Sequence, residues 1–328
     1  MLATVGLTAC ATELVPMPAP TPTYTSTWEE PAATVIAPLS GRITDAATLA
    51  HPSIAAKVDN HWDARPQAGL EAADIVFEEL VEGGLTRYVA IWHSTIPAEI
   101  GPVRSIRPMD PDIASPFGGI IAYSGGQPRF IALMRAAPVY NAIHGQADTE
   151  STFFRAPGRK GPHDVLVRAP EVVSQHAELA PPTQQFGYSL DVASATATKE
   201  GAPTARMDFR FGGSATPAWV WDATSATWLR FMTGGAPDMA GNGTQLAATN
   251  IVTVRVPVTV SQGIPKTELI GGGEAWVSTG GATVHATWSK PSATSPIRLV
   301  DDNGATVRLG PGNTWVELVP LTGAAIFS

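Results

Sequence analysis

The sequence is short of several things, and each shortage removes a class of protein. It holds one cysteine, Cys10, in 328 residues, so no disulfide framework is available. It contains no unbroken apolar run of roughly 18 residues, the length a membrane-spanning helix needs. Charged residues make up only 15% and the formal net charge is −8. That balance argues against a nucleic-acid partner, which selects a basic surface. Phosphate-loop and zinc-helix signatures are absent, as are Gly-x-Ser-x-Gly and Ser-x-x-Lys nucleophile elements. What remains is not a disordered chain, because 44% of the residues are hydrophobic and that supports a packed core.

The one cysteine carries positional information. Leu7-Thr8-Ala9-Cys10 resembles a bacterial lipoprotein processing site, where the thiol is lipidated and becomes the new N-terminus. Val15 to Thr23 then alternates proline with small residues, a composition that stays extended and solvated. Residues 1–10 are therefore expected to be a truncated signal peptide ending at the lipidated Cys10, and 11–35 a Pro/Thr-rich tether. The expected location is extracytoplasmic, anchored to the bacterial cell membrane by acyl chains that each contribute about 0.8 kcal/mol per buried CH₂.

Two textures follow. Over 36–185, strand-like runs mix with helical ones. Asp74 to Val81 and Leu85 to Trp92 flank Glu82-Gly83-Gly84 and read as a β-hairpin. Gly118 to Gly126 reads as a buried strand ending in a glycine turn, and Pro128 to Ala137 as a helix with proline in its first turn. Strand, glycine turn and helix in that order predict an α/β (or α+β) domain with its site at strand ends. Beyond the Pro181-Pro182 break, over 200–328, short Trp-rich strands such as Trp219-Val220-Trp221 and Thr227 to Phe231 alternate with turn residues. They predict a smaller β-rich second domain.

The chemistry-bearing residues crowd the first half. A two-residue Gly83-Gly84 turn would place Leu80 opposite Arg87, with Glu78, Glu82 and Arg87 on one face and Glu79 and Tyr88 on the other. Arg104 and Arg107, bracketed by Pro102 and Pro108, suit bidentate capture of phosphate or carboxylate, or else pair internally with Asp110, Asp112 or the hairpin glutamates. Arg155, His163 and Asp164 add a further polar group, with His163 a candidate acid or base. Lys57, Asp59, Asn60 and Arg65 complete the candidate binding set, and Ser124 sits in a Ser-Gly-Gly turn where a nucleophile fits. The candidate catalytic residues are thus Glu78, Glu82, His163 and Asp164. No cofactor is expected. The histidines are scattered along the chain, which argues against a transition-metal site; a hard cation on Asp110, Asp112 and glutamates is the remaining option.

A resemblance gathers these motifs. Lys57-Val58-Asp59-Asn60, Ala64-Arg65-Pro66-Gln67-Ala68-Gly69-Leu70, Asp74 to Glu79, Glu82-Gly83-Gly84-Leu85-Thr86-Arg87 and Gly101 to Pro108 are similar to the YerB-like lipoprotein family of bacteria, a two-part domain of unknown function. Gly273-Glu274-Ala275 and Gly312 to Leu318 resemble its C-terminal part. The resemblance implies a lipoprotein and no particular activity. A shorter echo links the Asp74 strand, the Arg-Ser-Ile-Arg-Pro segment and Tyr123-Ser124-Gly125-Gly126 with the LytR–CpsA–Psr phosphotransferases. That echo implies Asp74, Arg104 and Arg107 as pyrophosphate-side residues.

Three functions are compatible with these residues. The first is an envelope protein that binds an anionic cell-envelope component on Arg87, Arg104, Arg107 and Arg155. The second is a phosphotransferase or hydrolase of envelope polymers at the same site, with a hairpin glutamate as base. The third is a scaffold whose polar clusters are internal ion pairs and whose β-rich half docks a protein.

Overall fold

The computed structural model describes residues 33–328. Its backbone is an eleven-stranded mixed sheet covered on both faces. The strands that matter for the site, in chain order, are β1 (Ile54–Asp59), β2 (Ile75–Leu80), β3 (Thr86–Trp92), β4 (Ile120–Tyr123) and β5 (Tyr140–Ile143). A second, five-stranded sheet contains β6 (Arg206–Arg210), β7 (Ala218–Asp222) and β8 (Thr227–Phe231). The chain then returns to the large sheet with β9 (Asn250–Val256), β10 (Gly271–Thr279), β11 (Ala282–Lys290) and β12 (Thr314–Pro320). Finally β13 (Ala324–Phe327) adds to the second sheet beside β6.

The main path through the large sheet runs β11-β10-β9-β12-β2-β3-β1-β4-β5, with Ala202–Pro203 at the β11 edge. Strands from both sides of the Pro181-Pro182 break therefore enter one sheet, joined by the parallel pair β12 and β2. The run β1-β4-β5 is parallel, and β3 lies antiparallel between β1 and β2. Consequently β1, β2, β4 and β5 all point their carboxyl ends at the same edge of the molecule.

Period-two alternation gives the sheet two apolar faces. Ala55, Ile75, Phe77, Val89 and Ile91 pack with Ile113 of helix α1 (Asp110–Ala114) and with Phe130 and Met134 of helix α2 (Pro128–Arg135). Proline at the first position of α2 needs no amide partner there, and the four-residue spacing of Phe130 and Met134 places both on its inner stripe. On the other face Ile54, Ala56, Val76, Tyr88 and Trp315 pack against Met207, Phe209, Trp219 and Trp228 of the second sheet. All six residues of β1 are buried, as expected of a central strand covered on both sides. Lys57 and Asp59 at its carboxyl end are thus charged groups in core positions, which calls for partners.

The hairpin exists, but its register differs from the two-residue-turn expectation. Leu80 faces Thr86, Glu79 faces Arg87 and Glu78 faces Tyr88. The connection is a tight turn at Glu82–Gly84 closed by Val81 N–H donating to Leu85 O at 2.8 Å, with Gly83 and Gly84 both at positive φ. A one-residue change in pairing sends every side chain to the opposite face. Glu79 and Arg87 therefore share one face, and Glu78 and Tyr88 the other. Gly84 is required for a second reason: a Cβ there would lie 2.8 Å from the Gly213 Cα in the second sheet's loop, so the turn is seated directly on that backbone.

Candidate functional site

At the carboxyl edge the sheet opens between β1 and β4, and the proline-bounded arginine segment threads into the opening. Asp59 N–H donates to Pro102 O (2.9 Å), Arg104 N–H to Lys57 O (2.7 Å), Ser124 N–H to Arg104 O (3.1 Å) and Ile106 N–H to Gly125 O (3.0 Å). The segment is bonded to the end of β1 on one side and to the turn after β4 on the other. A crevice beyond the carboxyl ends of parallel strands is the usual ligand position in open α/β sheets. Ser124 contributes its backbone here.

The side chains around this segment form a connected set. Lys57 is buried and its Nζ contacts Glu79 and, at 2.7 Å, Asp110; burial brings it down to about 8 against the pull of Asp110. Asp110 also accepts from Arg107 N–H at 2.6 Å, so its carboxylate is already engaged and does not offer itself to a hard cation with Asp112. Arg107 Nε pairs with Glu82 at 2.7 Å. Asp59 Oδ2 accepts from His163 Nδ1 at 2.6 Å and lies 3.1 Å from Arg104 Nε.

Arg87 differs from its neighbours. It donates from Nη1 to Ser105 O at 3.1 Å, and among the described residues no carboxylate lies within ion-pair distance of it. Burial, with Arg107 and Arg104 close by, brings it down to about 10. A half-buried guanidinium without a counter-ion, in a group of three, is a costly arrangement that an anion relieves.

The opposite face of the same edge carries a second buried cluster. Arg230 of β8 spans three carboxylates: Nη2 to Glu78 (2.5 Å), Nε to Asp238 (3.1 Å) and Nη1 to Glu317 (3.2 Å). The rings of Trp315, Trp219 and Tyr88 surround its guanidinium at 4.7, 5.2 and 5.5 Å, a cation–π box. Thr86, Asn60 and Arg65 complete the cluster, Thr86 and Asn60 donating to Glu78 and Arg65 Nε to Asp238. A cavity of about 210 Å³ with Trp62, Leu85 and Met232 among its walls opens on Glu78 and Arg230.

Three carboxylates against Arg230 and Arg65 leave one negative charge in excess, and burial beside the Glu78 carboxylate pushes Glu317 up to about 8. A carboxyl group raised in the folded state binds more protons there than in the unfolded chain. Its contribution to stability is complete below its ordinary value of 4.5 and is lost as pH rises toward 8. Glu317→Gln keeps the acceptor for Trp219 Nε1, which lies 2.7 Å from Glu317 Oε1, and cannot ionise. Denaturant midpoints are expected to move in the variant's favour between pH 5 and pH 9 relative to wild type; a pH-independent difference would refute this assignment.

The two clusters redistribute the sequence-predicted residues. Lys57, Asp59, Arg87, Arg104, Arg107, Glu82 and His163 gather around the threaded segment. Glu78, Asn60 and Arg65 belong instead to the Arg230 cluster, on the face the corrected hairpin register assigns to Glu78. Asp164 does not partner His163; it takes Arg155 Nη1 at 2.7 Å across the Phe153–Arg155/Val165–Val167 hairpin, and Arg155 is 61% exposed. Asp74 lies at the far end of β2, its Oδ2 accepting from His93 and Ser94 N–H, so it is not beside Arg104 and Arg107. Asp59, not Asp74, is the aspartate beside Arg104. Cys10 lies outside the described residues.

Arg230, Asp238, Glu317 and the Asp59–His163 contact escaped sequence reasoning. One signal was present: Trp228 and Arg230 share parity on a short strand, which puts an arginine on an inward face. Two of the histidines, far apart in sequence, meet in space: His61 and His163 stack at 4.7 Å with ring planes 12° apart. Among the described residues no helix is long and apolar enough to cross a membrane.

Comparison with known proteins supplies a family. Residues 39–182 match the N-terminal domain, and 207–316 the C-terminal domain, of a protein of unknown function, DUF3048. The chain is 26% identical over 313 residues to YerB of Bacillus subtilis, a candidate lipoprotein by its name, covering 89% of this chain and 88% of that one. It is also similar to a crystal structure of the YerB protein from Bacillus subtilis, with a TM-score of 0.76 and 25% identity, over 89% of this chain and 99% of that one.

Proposed function

Since the chain belongs to the YerB-like DUF3048 family, whose two domains have no assigned function, we propose that it is a cell-envelope lipoprotein that binds a phosphate- or carboxylate-bearing envelope anion at the threaded arginine segment. The observation that carries this reading is Arg87, a half-buried guanidinium beside Arg104 and Arg107 with one carbonyl contact and, among the described residues, no carboxylate at ion-pair distance. Guanidinium forks match such anions in pairs. The tether reading rests on Leu7 to Cys10, on the Pro/Thr-rich segment after it, and on the name of the relative. Lipidation of Cys10 would hold the arginine segment outside the membrane within reach of envelope polymers.

A second reading, phosphotransfer or hydrolysis at the same place, is favoured by one contact. His163 Nδ1 on buried Asp59 leaves Nε2 as a base oriented by a carboxylate.

Thermal-shift measurements with inorganic pyrophosphate, polyprenyl phosphates, nucleotide sugars and peptidoglycan fragments test the binding reading. At least one anion is expected to raise the midpoint of the wild type, less so at high salt, and to leave Arg104→Ala unmoved. No rise with any of them, together with a lowered midpoint for Arg104→Ala alone, would identify the arginines as internal pairing groups of a scaffold.

A further inference from the structure

We propose that His61, Asp63 and His163 form a binding site for a zinc-class divalent ion beside the threaded arginine segment. The two histidines are 102 positions apart, and the loop after β1 brings the first against the segment carrying the second. One ligand atom from each of the three side chains lies within 4.8 Å of the others. His61 Nδ1 stands 3.6 Å from Asp63 Oδ2, near the roughly 3.3 Å edge of a tetrahedron with metal–ligand bonds of about 2.0–2.1 Å.

The second observation concerns orientation. His163 is fixed by Asp59, whose 5% exposed side chain takes the Nδ1 proton at 2.6 Å and leaves Nε2 as the ligand nitrogen. A carboxylate behind the ligating imidazole is the arrangement that sets tautomer and ring direction in metal sites. Asp59 is itself held by His61 N–H at 3.1 Å and by Arg104, so the support is built before any ion arrives. Two imidazoles and one carboxylate suit zinc and its neighbours rather than magnesium or calcium, which prefer all-oxygen shells. Three protein ligands leave a fourth position for water or an anion, and Arg104 shares the Asp59 oxygen with His163. Closure on an ion requires His61 to leave its parallel stack and release Asp63 N–H, now 3.2 Å from Nδ1. Its side chain is 23% exposed in a short turn.

The test is calorimetric titration of the full chain, carrying Cys10→Ser to remove the thiol, with Zn²⁺ alone. One equivalent is expected to bind. Affinity should fall at least about tenfold in His61→Ala and in Asp63→Asn, and about 10- to 100-fold in Asp59→Asn. His285→Ala, altering a histidine that lies with Glu274 and Asp302, should leave it unchanged. Absence of stoichiometric uptake by the wild type, or an affinity that survives both His61→Ala and Asp63→Asn, would overturn the proposal. Asp63 is half-exposed, so its variant folds and decides the matter if Asp59→Asn does not. No anion is present in the titration, so a negative result leaves the anion reading standing on its own.

Discussion

Arg230→Ala is expected to destabilise the fold by roughly 3–5 kcal/mol, the usual range for removing one partner of a buried ion pair. The side chain is 1% exposed, and its three partners are equally buried. Alanine would leave Glu78, Asp238 and Glu317 facing one another with Arg65 as the remaining cation. It would also empty the space between Trp219, Trp315 and Tyr88. The network spans both halves of the chain, since Glu78 lies on β2, Arg230 on β8 and Glu317 on β12. Unfolding should therefore remain one transition, displaced to lower denaturant. Arg230→Lys should recover only part of the loss, because an ammonium cannot serve three carboxylates from the separate Nε, Nη1 and Nη2 positions. Denaturant titration of the three proteins measures this, and a loss below about 1 kcal/mol for Arg230→Ala would contradict it.

Arg87→Met should behave in the opposite sense on stability while removing binding. Arg87 is half-buried next to two further arginines, with no carboxylate at ion-pair distance among the described residues, so its charge is unfavourable there. Methionine keeps the length and apolar stem and discards the charge. The denaturation midpoint is expected to rise, and anion affinity to fall by about 10- to 100-fold, the worth of one or two charge-assisted hydrogen bonds. Gains in stability bought by losing function are common where a site is held ready for a ligand. A variant that is less stable than wild type and binds anions equally well would mark Arg87 as an ordinary structural residue.

Much of the fold was legible because it is local. Alternation named the hairpin arms, Gly125-Gly126 and Pro128 marked the turn and the start of α2, and Pro102 and Pro108 set Arg104 and Arg107 apart from a helix surface. The register of β2 against β3 was not legible: a two-residue turn and the longer Val81-to-Leu85 loop fit the same glycines but put Arg87 on opposite faces. That single residue moved Glu78 away from the arginine segment and brought Glu79 to it. Nor could one sequence show that Asp59 meets His163 across 104 positions, or that Arg230 reaches Glu78 across 152. Those contacts depend on the strand order β12-β2-β3-β1, which local propensity does not determine. Asp164, next to His163 in the chain, pairs instead with Arg155 across a short hairpin.

The most direct test of the account is where an anion settles. Crystals soaked with tungstate, an anomalous scatterer of phosphate-like charge, should place one ordered ion within hydrogen-bond distance of Arg87 and of Arg104 or Arg107. Ordered tungstate only at other positions, or none beside Arg87 at a concentration that saturates binding in solution, would contradict the claim that the threaded arginine segment is an anion site.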